Sequence, residues 1–319
     1  MKLKFTWLLG AAIMLLAACN NSKKGGDTPG SSGDNPIPSG DAIEVKLNLQ
    51  KGKTYGYLMK MDMDMAMEMM GKPIDSKMNM NFGFKLNVDD IDADGNYKMT
   101  CTYDEIKFMV NAAGQEMGYD SKNPDAGGSG MVGDMFKKIF GGMINKQFKM
   151  TMSPKGDISK VEGIKELTNS MVESMDVPPA EKDRMRQQME ASFSEDKIKQ
   201  NFQQGFAVFP DKPVKVGDSW HKTMSQDMSN MKMNTDVKFT VKEITGNSVK
   251  LDLEGIIESS ASDSSSIAGT EMSGTQKGTM EMERSTGLAK QATIDMDAKV
   301  KTKGIPMTMK GTISIEGKE

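Results

Sequence analysis

Residues 59–69 read Met59-Lys60-Met61-Asp62-Met63-Asp64-Met65-Ala66-Met67-Glu68-Met69. Methionine takes every second position, and the residues between are charged or small. In a strand, successive side chains point to opposite faces, so this stretch has one wholly apolar face and one polar face. On a helix the same methionines would wrap around the cylinder. The stretch therefore predicts a long, half-buried strand. Gly71-Lys72-Pro73 interrupts it; Met78, Met80, Phe82, Phe84, Leu86 and Val88 then resume the alternation and predict an antiparallel partner. Asp94-Gly95-Asn96 marks the next turn. A third apolar face follows in Tyr97, Met99, Cys101 and Tyr103, with Phe108 and Val110 further on.

Downstream the period changes. Residues 120–130 are rich in Gly, Asp and Ser and predict a loop. Met131, Met135, Phe136, Ile139, Phe140 and Met143 then follow helical spacing. After a short strand pair from Phe148 to Lys160, Ile164, Leu167, Met171 and Met175 predict a second helix, which Pro178-Pro179 ends while starting another. Met185, Met189, Phe193, Ile198 and Phe202 read as one apolar stripe along one charged helix. Helices with a single apolar face need a surface to lie on. The fold class is thus mainly β with an α insertion at about 131–205: curved antiparallel sheets with helices packed on an apolar sheet face.

The second half returns to strands and echoes the first. Gly52-Lys53-Thr54-Tyr55 resembles Gly217-Asp218-Ser219-Trp220. The turn from Asp94 to Met99 resembles Thr245 to Leu251, and Lys149 to Ile158 resembles Met280 to Leu288. Three correspondences in one order suggest two related halves. Period-two strands with glycine turns also resemble each other by chance, so duplication and coincidence both stay open at this level. Residues 259–275, dominated by Ser, Gly and Asp, read as an inserted loop.

At the N-terminus, Lys2 and Lys4 precede an apolar run ending in Leu16-Ala17-Ala18-Cys19. This is the pattern of a secretory signal rather than a membrane-spanning helix. Its ending resembles the lipobox of bacterial lipoproteins, and the resemblance implies acylation of Cys19 and a membrane anchor. The implied organisation is a signal peptide over 1–18, the acylated Cys19 with a polar tether over 19–42, and a β-rich domain over 43–319. Asn20 stands where an aspartate would imply inner-membrane retention, so the resemblance implies the outer membrane, with the periplasmic leaflet favoured over the cell surface. Losing Lys2 and Lys4 moves the net charge from −3 to −5. That balance argues against nucleic acid as a partner. With Cys19 acylated, Cys101 is left without a disulfide partner; on an inward strand face it reads as a small buried hydrophobe.

The chain carries 33 methionines, 31 of them beyond residue 18. Thioethers suit Cu(I), which makes Met61, Met63 and Met65 candidate ligands. Same-face neighbours on one strand lie about 6–7 Å apart, however, so a site would need methionines from adjacent strands such as Met78 or Met80. Methionine also fills irregular cores, and here it is spread over strands and helices alike, which favours packing and no metal. Asp89, Asp90, Asp92, Asp94 and Glu105 have the spacing of a calcium loop but sit at a strand end, without flanking helices. Asp62, Asp64 and Glu68 fall on the polar face, where charges are solvated. The single histidine, His221, leaves little for zinc or acid–base chemistry. No catalytic residue and no cofactor are expected.

The phrase Phe209-Pro210-Asp211-Lys212-Pro213-Val214-Lys215-Val216-Gly217-Asp218-Ser219-Trp220 is the most family-like in the chain. Together with the lipobox, the opening Leu49 to Tyr55 and the helical middle, it resembles a family of uncharacterised Gram-negative lipoproteins. That family carries no activity over to any residue. At the level of fold, the pattern resembles lipoprotein-carrier (LolA-like) proteins, which hold acyl chains between a curved sheet and its helices. The leading expectation is a non-enzymatic envelope lipoprotein that binds an apolar or amphipathic ligand or an envelope partner. A Met-rich Cu(I) binder and a structural scaffold are the alternatives, with an enzyme acting on envelope polymers behind them.

Overall fold

The computed structural model describes residues 41–318 apart from 70–71, 113, 129–130, 174–176, 207, 229–230, 262–269 and 303–304. The signal-peptide reading, Cys19, the tether up to residue 40 and Met175 of the second-helix stripe fall outside the described residues. The first strands are β1 (Thr54–Met69), β2 (Lys72–Ile91), β3 (Tyr97–Ala112) and β4 (Gln115–Asp120). Then come α1 (Met131–Gly141), β5 (Gln147–Met152), β6 (Ile158–Glu162), α2 (Ile164–Glu173), α3 (Pro179–Ser192) and α4 (Glu195–Phe206). The last strands are β7 (Ser219–Met228), β8 (Met231–Ile244), β9 (Ser248–Ala261), β10 (Thr270–Glu283), β11 (Ala289–Thr302) and β12 (Ile305–Lys318). All strands join one twelve-stranded sheet in the order β6-β5-β3-β2-β1-β12-β11-β10-β9-β8-β7, with β4 also on β3. Every pairing between them is antiparallel.

The methionine stretch forms β1 and pairs with β2 as its alternation predicts. Met61 and Met63 are buried, while Asp62 and Asp64 between them are exposed. Residues 121–128 form the expected loop. β4 reaches Asp120, and the turns after it are hydrogen-bonded, Asn123 N–H to the Asp120 carbonyl and Gly118 N–H to that of Gly127, both near 3 Å. β3 changes parity within itself. Tyr97, Met99 and Cys101 face the core, then Ile106, Phe108 and Val110 do. The register shift between Gly83 and Phe84 of β2 absorbs one extra β3 residue and flips the faces. At the same point β3 exchanges its outer neighbour, β5 for its first half and β4 for its second.

The echo between the halves extends to backbone geometry. Gly52 and Gly217 both take positive φ, +80° and +91°. Gly52 N–H donates to the Val88 carbonyl, and Gly217 N–H to that of Val241, at 2.7 and 2.9 Å. Each acceptor residue then meets a register shift, Val88/Asp90 and Val241/Glu243. At the far turns, Gly156 and Gly287 have φ of +83° and +72°, and each donates to the carbonyl three or four residues back, Ser153 or Glu283. The halves β1-β2-β3-β5-β6 and β7-β8-β9-β10-β11 therefore follow one template, laid head to tail with β12 between them.

The stretch before β1 ties the halves together at this end. Leu47 N–H donates to the Pro154 carbonyl and Asn48 N–H to the Thr286 carbonyl, both at 2.8 Å. The Tyr97 hydroxyl donates to the Leu47 carbonyl and accepts from Leu49 N–H. Ile43 bridges to Val214 through a reciprocal pair at 2.8 Å.

α1, α2 and α4 lie on the apolar face, as their stripes predict. Phe136 and Phe140 of α1 pack on Phe108 of β3, with ring centroids 5.3 and 5.2 Å away. Phe202 of α4 meets Phe84 of β2 and Phe148 of β5. The stripe from Met185 to Phe202 is two helices, not one. Phe193 leaves helical geometry at φ −125°, and Ser194 restarts the chain by accepting from Lys197 N–H. α3 packs against α2, where Glu173 holds Lys182 and Arg186. The loop expected over 259–275 is likewise shorter. β9 runs to Ala261 and β10 starts at Thr270, because Thr270 and Met272 keep the inward parity and are buried.

Candidate functional site: the inner face of the sheet

Residues in register across the sheet define its inner lining. One row runs Phe239, Leu253, Gly278, Ile294, Ile313, Met61, Met80, Phe108. The next runs Val237, Gly255, Gln276, Met296, Gly311, Met63, Met78, Val110. The apolar side chains of both rows fall within one continuous core cluster. Its two ends are filled differently. From β2 to β6 the filling is aromatic: Tyr57 stacks on Phe84 at 5.4 Å, and the rings of α1 and α4 interlock above. From β8 to β12 it is aliphatic, methionine or side-chain-free, with Trp220 on Phe239 as a stacked pair near the β7 edge.

The candidate copper ligands lie in this lining. Met61 is opposite Met80 and Met63 opposite Met78, so the strands do bring thioethers side by side; Met65 is opposite Met309 of β12 and only half-buried. Met61 and Met63 occupy positions a leucine would fill, with 1% and 3% exposure. Cys101 lies further along the sheet, opposite Leu86, where it is buried, and burial pushes its thiol far above the ordinary value.

The calcium-like acids do not converge. Asp92 caps its own turn, accepting from Asp94 and Asn96 N–H groups at 3.0 and 2.9 Å. Asp89 accepts from Thr100, and Asp90 pairs with Lys51. Among the described residues no three His, Cys, Asp or Glu side chains gather as a metal site. His221 lies exposed on β7 and meets Asp236 at 2.7 Å.

A hollow of about 660 Å³ lies over Gly311, lined mainly by outer-face charges and also touching Met63, Gln276 and Met296 of the inner row. Its acids are satisfied locally: Asp62 accepts from Asn79, Asp64 pairs with Lys77, Asp295 accepts from Thr312 and Asp297 pairs with Lys310. Cross-strand pairs of this kind stabilise a solvated sheet face by roughly 0.2–1 kcal/mol each. Asp62 and Asp64 are therefore part of a charge ladder, as the polar-face reading expects.

The sequence reading missed Glu105 as a structural acid. At the β3 bulge it turns onto the outer face with 5% exposure. Burial opposes its ionisation, but the Lys122 hydrogen bond at 2.8 Å and the charges of Lys122 and Lys318 outweigh that and lower its pKa. Lys318 reaches it from β12 across the side-chain-free backbones of Gly56 and Gly83. The signal was present as Gly83 in an otherwise large-residue strand.

With this frame in place, the chain can be assigned to a class. It belongs to a family of unknown function, DUF6263, whose family model matches residues 94–289. No curated protein matches it. Among solved structures, lipovitellin is similar at 9% identity and a TM-score of 0.47, over 85% of this chain and 26% of that one. The chain thus spans about a quarter of the lipovitellin chain. The translocator domain of the autotransporter NalP from Neisseria meningitidis gives 6% identity and 0.23, over 85% and 90% of the two chains. An outer membrane channel from Pseudomonas putida F1 gives 7% and 0.24, over 88% and 100%. Scores this low carry no argument about function. Among the described residues, no helix is long and apolar enough to cross a membrane.

Proposed function

We propose that this chain is a lipid-anchored envelope protein that binds an apolar or amphipathic molecule on the inner face of its sheet, without enzymatic chemistry. The supporting observation is the lining of β8 to β12. It is a buried apolar lining built from Met233, Leu253, Met272, Met280, Ile294 and Met296, without the aromatic helix rings that fill the other half. Flexible methionines re-pack around differently shaped apolar partners at low cost. The envelope placement rests on Leu16-Ala17-Ala18-Cys19, and acylation would be read as palmitate label lost in Cys19→Ser. Native mass spectrometry of the gently purified protein tests the binding itself. A co-purifying mass in the lipid range is the expected result; a bare protein mass after mild extraction would remove the binding role and leave a scaffold.

A further inference from the structure

Gln276 lies at the centre of the β8–β12 lining, on the parity that Met272 and Met280 share. It is 3% exposed, and its side-chain oxygen has no hydrogen-bond partner. A buried amide left in this condition costs about 1–3 kcal/mol, so it calls for a physical reason. The surroundings supply one. Gly255 is opposite on β9, Gly274 and Gly278 flank Gln276 on its own strand, and Ala298 and Gly311 lie on β11 and β12. Small residues thus surround the amide, and their backbones approach their neighbours closely; the other buried polar side chains on this parity, Thr235 and Thr270, lie further along β8 and β10. The amide leans over Gly255: a Cβ there would stand 2.6 Å from both Cγ and Nε2 of Gln276.

We propose that Gln276 anchors the polar group of a neutral, hydroxyl-bearing apolar molecule, such as a long-chain alcohol or an acylglycerol, in the interior of the second half. This rests on the apolar-binding reading above and names its ligand class. The unpartnered atom is an oxygen, which needs a donor, and a hydroxyl donates where an ether cannot. An ionised headgroup is disfavoured, since the inner-face neighbours Gly255, Gly274, Gly278, Ile294, Met296 and Ala298 offer no counter-charge. The flexible side chains of Met272 and Met296 can give way to an acyl chain beside the amide.

The test uses the full chain in solubilised membranes and two photoactivatable probes, a long-chain alcohol and its methyl ether. The alcohol should label peptides from 248–302 roughly fivefold more than the ether, the worth of one hydrogen bond. Gln276→Met, close in volume and without the amide, should erase the difference and melt no lower than the wild type. Gly255→Ala, which displaces the amide, should erase it too. Equal labelling by both probes in the wild type, or a preference that survives both variants, would overturn the anchor while leaving an apolar binder. Absence of any inner-face labelling by either probe would remove the binding reading and the anchor with it.

Discussion

The two halves of the sheet share a backbone template and differ in what fills it. β1 to β6 and β7 to β11 share the glycine turns at Gly52/Gly217 and Gly156/Gly287, the register shifts that follow Val88 and Val241, and one antiparallel order, while the shift at Gly83/Phe84 belongs to the first half. The first half closes its apolar face with rings, Phe84, Phe108, Phe136, Phe140, Phe148 and Phe202. The second presents methionine, aliphatic residues, glycines and the amide of Gln276, with the stacked Trp220–Phe239 pair near its edge. A frame used twice with different fillings separates the copies by their packing, ring against ring in one and methionine, aliphatic side chains and glycine in the other. On the reading proposed above, the first copy anchors the fold and the second holds the ligand.

The largest test of that division is Phe108→Ala. Phe108 is 1% exposed and touches two α1 rings, so its removal should cost about 3–5 kcal/mol in denaturant unfolding. A loss below about 1 kcal/mol would show that the first half is not the anchor. The template itself is tested by Gly156→Ala and Gly287→Ala. Both have positive φ, and an added Cβ would strike a carbonyl oxygen, of Phe206 in one case and Lys46 in the other. Each should lower stability by about 1–3 kcal/mol, and to a similar extent. A silent change at one and a severe one at the other would break the equivalence.

Glu105 has no counterpart in the second half's template and sharpens the contrast. Glu105→Gln should cost about 1–3 kcal/mol, because a charged hydrogen bond to Lys122 is lost. Its folded pKa lies below the model-peptide value of 4.5, so its contribution is present above that pH and is lost as pH falls through the lower folded value. Acid unfolding of Glu105→Gln should therefore show a shallower pH dependence below 4.5 than the wild type. The smallest effect is expected from Met61, Met63 and Met65 replaced by leucine. Volume-conserving swaps of this kind cost under about 1.5 kcal/mol each. Cu(I) titration should be unchanged, and lost copper binding would reassign the strand from packing to metal.

Much of this architecture was legible because period-two alternation ties parity to burial. Met61 and Met63 face inward for the reason their spacing gives, and the hairpin with Met78 and Met80 follows. Positions that break a period were harder to read. The step from Phe193 to Ile198 is five residues in a stripe otherwise spaced by four, and it marks the break between α3 and α4. The change from odd to even apolar positions between Tyr103 and Ile106 marks the bulge that buries Glu105. Gln276 was visible as an amide on an apolar parity, but its orphaned state depends on β9 and β11 neighbours that no local pattern names. The pairing of β1 with β12 joins residues some 250 positions apart, beyond any local signal.

The most direct measurement is hydrogen–deuterium exchange of the whole chain with and without a long-chain alcohol. Added protection confined to amides of β9 to β11, with β3 and β5 unchanged, is the predicted result. Equal protection in both halves, or none in either, would contradict the division of labour between them.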